Sequence, residues 1–216
     1  MIAWKFLAEG GIAPFTGFRW PADGGWVGAP AERSDVWIHA CRLRDLPHWL
    51  GAELWTVELT EPVQERRYQV VAPRGRLLGR VTAWDGAAAG AYARACALRA
   101  RDLALPHLEP ALRDALAGAA ELEAIVAAAS PGGPEPAPRA ALLVADAARY
   151  ALRAGRAPVA VPATAAYIVA TLASTVGDGL AAFEAERAWQ ARWLEERLGL
   201  ADRAAPLDAD APVGFA

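Results

Sequence analysis

The sequence predicts an α+β protein, with a small antiparallel sheet over residues 1–84 and an alanine-rich helical bundle over 86–200. Two observations carry this. Up to Trp84, short apolar runs alternate with Gly- and Pro-containing turns at strand spacing. From Asp85 onward the apolar period lengthens to that of a helix and alanine dominates.

The elements follow in order. Ile2 to Leu7 reads as an opening strand ended by Glu9-Gly10-Gly11, and Phe15 to Trp20 as a second, closed by Pro21 and the Asp23-Gly24-Gly25 turn. Trp26-Val27 follows, then the apolar run Val36 to Cys41 and one or two helical turns from Arg44 to Leu50. Leu54 to Leu59 alternates as a strand with one wet face. Tyr68 to Ala72 and Leu77 to Trp84, separated by Pro73-Arg74-Gly75, read as a hairpin. Asp85 is placed to cap a helix over 87–103 that Pro106 interrupts. Further helices are expected at 108–117, 119–129, 139–154, 164–176 and 179–199, the last ended by Gly199. Residues 130–138, rich in Pro and Gly, read as a loop, and 201–216 as a disordered tail.

Seven of the nine Trp fall in the first 84 residues, so rings supply the bulk there. Such rings serve a core or a binding surface, and the core is the commoner use. The formal charge of −3, with basic and acidic residues interspersed, argues against a nucleic-acid partner. Among the 22 basic residues only Lys5 is a lysine, a bias that matches a GC-rich coding sequence. Cys41 and Cys96 lie far apart on segments of different type, and Met1 to Lys5 has no signal-peptide character, so a reducing cytoplasm is expected. Residues 157–177 carry no charge, but Pro158, Pro162, hydroxyl residues and alanine favour a buried helix over a membrane span.

No phosphate loop, nucleophile elbow or His-Glu-x-x-His zinc motif is present, and no motif names a cofactor. The one string with chemical content is Trp37-Ile38-His39-Ala40-Cys41. At strand spacing His39 and Cys41 share a face. Thiol and imidazole then read as nucleophile and base, as two metal ligands, or as a buried histidine beside an inert core thiol. The metal reading lacks partners, since only His48 and His107 remain and there is no Cys-x-x-Cys. Glu58 is either a general base or a member of the solvated face with Thr56 and Thr60. Arg19, Trp37, His48 and Trp49 complete the candidate binding residues around a Trp-walled pocket. In the helical half, Asp146, Arg149 and Tyr150 share a face, as do Glu186 and Gln190, and both sets read as polar contacts.

Trp4-Lys5-Phe6, Ile38-His39-Ala40-Cys41 and Val57-Glu58 occur in the order seen in an uncharacterised domain family of phage and bacterial proteins. The chain resembles that family over about residues 1–84 and departs from it at Val36-Trp37-Ile38, where a Cys-x-x-Gly-Phe lead-in is usual. The resemblance implies a grouping and no mechanism. Trp55 to Pro62 is also similar to the strand-then-Pro segment of small ADP-ribosyltransferases. That likeness implies NAD binding through an early-strand His or Arg, where this chain has Trp4-Lys5. Three functions are therefore expected: a binding protein for a small molecule or protein partner, a small-molecule enzyme using His39 with Cys41, Arg19 or Glu58, or, from the second likeness, an NAD-dependent transferase.

Overall fold

The computed structural model describes residues 1–29, 37–130, 137–154 and 161–201. Val36, most of the 130–138 loop and the tail from residue 202 lie outside them.

Among the described residues there are seven strands, built mostly from apolar runs: β1 Ile2–Leu7, β2 Val27–Gly28, β3 Ile38–Ala40, β4 Glu53–Leu59, the polar β5 Gln64–Arg66, β6 Gln69–Ala72 and β7 Arg74–Arg80. All pairings are antiparallel, in a four-stranded sheet ordered β1-β4-β7-β2 and a three-stranded sheet ordered β3-β6-β5. The two sheets join into a ring. β6 and β7 form one bent strand around Pro73, with β6 pairing to β3 and β7 to β4. Immediately after β3, Cys41 exchanges both backbone hydrogen bonds with Trp4 of β1, at 2.9 and 2.7 Å. β1 pairs with β4 along its whole length, which closes the circuit.

Pro73 therefore bends a continuous strand where the sequence suggests a turn, because the flanking residues find different partners. The actual hairpin joins β5 to β6 through Arg67-Tyr68, which carry no Gly or Pro. The expected strand at Phe15–Trp20 is instead a loop with one bridge, Ile12 to Arg19, and a short 3-10 helix spans Leu43–His48. An extra residue, Leu78, bulges from β7 opposite Thr56 and Val57, so buried side chains on β4 fall in adjacent pairs.

Six helices follow: α1 Gly86–Ala104, α2 Pro110–Ala117, α3 Leu122–Ala129, α4 Arg139–Ala154, α5 Val161–Val176 and α6 Gly179–Leu198. The Asp85 carboxylate accepts the Ala88 N–H at 2.8 Å and starts α1. Gly199, at φ 61°, ends α6 in the left-handed conformation. Buried alanines, among them Ala93, Ala97 and Ala100 of α1 and Ala141, Ala145 and Ala148 of α4, remove bulk where these helices meet.

One apolar core runs from β1 into the helices. A chain of rings marks the path: Phe6 to Trp84 at 5.6 Å, Trp84 to Tyr92 at 6.4 Å and Tyr92 to Trp193 at 5.3 Å between centroids. A second, smaller core fills the sheet ring with Ala3, Leu7, Trp20, Val57, Leu59, Val70 and Leu77. Among the described residues, no helix is long and apolar enough to cross a membrane.

Candidate functional site

Among the described residues, the edge of β1 that faces β3 is paired at two points. Trp4 exchanges bonds with Cys41, and Ala8 exchanges them with Ile12 at 2.7 and 3.3 Å. Phe6, between them, makes no such exchange among the described residues, and the edge opens there. At this opening the Lys5 ammonium donates to the His39 carbonyl, replacing a ladder bond with a side-chain bond. A cavity of about 820 Å³ occupies the region, with Lys5, Phe15, Phe18, Trp20, Trp37, His39, His48 and Trp49 among its lining residues.

Its walls are mostly apolar and its polar groups form a connected edge. His39 Nδ1 lies 2.9 Å from Gln69 Oε1, and since that oxygen only accepts, Nδ1 carries the proton. Lys5 Nζ lies 5.4 Å from the centre of the Trp20 ring. Burial lowers the Lys5 pKa to about 8, although the neighbouring Cys41 acts in the opposite sense. On the far rim His48 stacks on Tyr68 at 4.0 Å, and the Trp49 indole donates to the Tyr68 carbonyl at 2.6 Å. Burial, with help from Arg187, lowers the His48 pKa to about 4, so this ring is neutral at physiological pH.

The loop over the mouth is held by one carboxylate. Glu53 of β4 accepts the N–H groups of Gly10 and Gly11 at 3.1 Å each and the Trp55 indole at 3.0 Å, and Arg80 approaches to 3.3 Å. Burial alone would raise its pKa, but these donors and the Arg80 charge outweigh it and hold the carboxyl below its ordinary value. Gly10 and Gly11 both take positive φ, 76° and 72°, which lets two successive amides turn toward the same carboxylate. Beyond that anchor Phe15 stands 85% exposed, edge-on to Trp49 at 6.4 Å.

The sequence-derived candidates divide. His39, Trp37, His48, Trp49 and Cys41 all line the cavity. Cys41 is 2% exposed, and its thiol hydrogen bond runs to the Trp4 carbonyl at 3.3 Å. Burial, then the charge of Asp45, pushes its pKa up, so the thiolate a nucleophile needs is suppressed. Glu58 is not a lining residue. It pairs with Arg76 at 2.7 Å, its cross-strand neighbour on β7, and is part-exposed there, but Thr56, expected on the same wet face, is buried. Arg19 also lies away from the lining and donates to the Gly10 carbonyl at 2.8 Å, so it serves the mouth loop. Among the described residues, no group of three or more His, Cys, Asp or Glu is placed to hold a metal ion.

No family model, curated protein or solved structure matches the chain.

Among the lining residues that had no place among the candidates are Lys5, Trp20 and Gln69. The signal for Lys5 was present, as the single lysine in an otherwise apolar strand. Gln69 had none, since its role depends on β6 lying beside β3.

Proposed function

We propose that the chain is a binding protein for a small, largely apolar molecule, taken into the aromatic cavity with its polar end toward Lys5, His39 and Gln69. The observation that carries this reading is the cavity itself. Its volume of about 820 Å³ lies in the range of small-molecule sites, roughly 300–1,000 Å³, and its walls are rings with a few connected polar groups. Catalysis through a His39–Cys41 pair is less well supported, because the thiol is held as a neutral, buried group and Glu58 is engaged by Arg76. A nucleotide cofactor is also less well supported, since among the described residues the polar edge offers no cluster of cations for a diphosphate.

The test is a titration with N-phenyl-1-naphthylamine, a neutral apolar fluorophore. Emission should rise and saturate at one equivalent, with an accompanying rise in Tm. Ala13→Trp, which places a ring into the cavity, should abolish saturation while the variant stays folded. Saturable binding that Ala13→Trp leaves intact would move the site elsewhere. Millimolar NAD should leave Tm unchanged, and a rise would revive the transferase reading.

A further inference from the structure

We propose that Lys5 forms a Schiff base with the carbonyl group of an apolar aldehyde or ketone held in this cavity. The inference rests on the binding reading above and adds a covalent step to it.

The first argument is the choice of residue. Every other basic residue of the 22 is arginine, and arginine makes each of the basic side-chain salt bridges among the described residues. A guanidinium cannot lose its proton in a protein, whereas an amine can, and only the free amine attacks a carbonyl. The one side chain of this chain capable of that chemistry sits in the cavity wall.

The second argument is its setting. No carboxylate pairs with Lys5 among the described residues, so no ion pair holds it as an ammonium. Trp20 lies on one side and the His39 carbonyl takes one N–H. In the free amine that bond leaves the lone pair pointing away from the oxygen. Burial leaves the amine mostly protonated at physiological pH but with roughly a tenth of it as the free base at pH 7, far more than an ordinary lysine. β1 is anchored on both sides by β4 and Cys41, which fixes the origin of the side chain.

The step balances without any further reactant. The amine nitrogen attacks the carbonyl carbon, a C–N bond forms, and the C=O π pair moves to oxygen. One proton passes from nitrogen to that oxygen, giving a carbinolamine. The hydroxyl then takes a second proton from water and leaves as water while the nitrogen lone pair closes the C=N bond, and the iminium N–H returns that proton to water to give the neutral imine. The apolar walls favour loss of water.

The test uses the full chain with 2-naphthaldehyde and sodium cyanoborohydride, read by intact mass and peptide mapping. The mapping is unambiguous because the chain has one lysine, and the only other amine is that of Met1. The expected result is one reduced adduct on Lys5, formed about tenfold or more faster than on N-acetyl-lysine methylamide under the same conditions. N-phenyl-1-naphthylamine should slow it, and Lys5→Met should abolish it. The wild-type peptide map decides the matter even if that variant does not fold. Adducts confined to Met1, or Lys5 reacting no faster than the free amine, overturn the inference. If the fluorophore binds and no Lys5 adduct forms, the Schiff base alone falls. If neither occurs, the cavity reading falls with it.

Discussion

The sheet half and the helical half solve the packing problem in opposite ways. The helices meet through alanines, and their shared interior is closed around small side chains. The sheet half encloses its space with Trp and Phe, and rigid rings leave a hollow between them. Polarity is distributed in the reverse sense. The helical interior buries Glu186, Arg187 and Gln190 in one network: Arg187 reaches Gln190 Oε1 at 3.0 Å and the Pro47 carbonyl at 3.3 Å, Gln190 reaches the Ala166 carbonyl at 2.9 Å, and Arg99 reaches Glu186 at 3.2 Å. Burial raises the Glu186 pKa and lowers that of Arg187, so this network costs free energy to keep charged. Its bonds run mostly within the protein. The polar edge of the cavity, by contrast, borders open space. Even so, the helical network leaves Glu186 Oε1 and Arg187 Nε buried without a hydrogen-bond partner among the described residues, an internal cost on top of its charge burial.

The joint between the halves offers the largest expected effect. Trp84 packs on Phe6 and Tyr92 and donates to the Gly51 carbonyl at 2.9 Å. Trp84→Ala should cost about 3–5 kcal/mol in urea unfolding, and both halves should still melt together. Separate transitions for the two halves would break the picture of one core.

The contrast in packing is sharpened by paired substitutions. Ala97→Leu, at a fully buried helix contact, should cost about 1–3 kcal/mol. Ala13→Leu, on the cavity wall, should stay within about 0.5 kcal/mol. Equal costs at the two positions would show that the hollow is closed in solution.

Glu53→Gln should cost about 1–2 kcal/mol at pH 7 by weakening the anchor of the mouth loop. The carboxyl titrates lower in the folded protein than in the unfolded chain, so its contribution is full above the ordinary value of 4.5. That contribution is lost as pH falls through the folded value. The gap between wild type and variant should therefore close in acid.

One effect has the opposite sign. Lys5→Met should stabilise the protein by about 1 kcal/mol at pH 7, because a partly buried ammonium gives way to an apolar side chain. Lys5 titrates near 8 when folded and at 10.5 in the unfolded chain, so wild-type stability rises with pH between those values. The advantage of the variant should shrink across the same window. A variant less stable than wild type would make Lys5 a structural residue.

Much of the architecture was legible because it is written locally. Asp85 and Gly199 mark helix ends by capping chemistry, and β1 and β4 lie at the apolar runs that predict them, although β4 buries adjacent pairs rather than alternating residues. What escaped depends on partners distant in sequence. Pro73 carries a turn signal, yet it bends a strand, since only the positions of β3 and β4 decide what its flanks pair with. The 8–20 segment resembles a hairpin, yet a carboxylate some forty residues away shapes it. His39 was placed at the site by its spacing from Cys41, but its working neighbours, Lys5 and Gln69, come from other strands.

The closed circuit of strands also governs how the chain behaves among its own copies. Its outermost strands are β2, of two residues, and β5, whose three residues Gln64–Arg66 are exposed and polar. Both are too short or too hydrophilic to template a neighbour. The weak seam is the lone Trp4–Cys41 pair, whose rupture would bare the Ile-Ala-Trp-Lys-Phe-Leu edge. In that opened state the single lysine stands in the middle of the exposed run as a charged gatekeeper against fibre-like stacking.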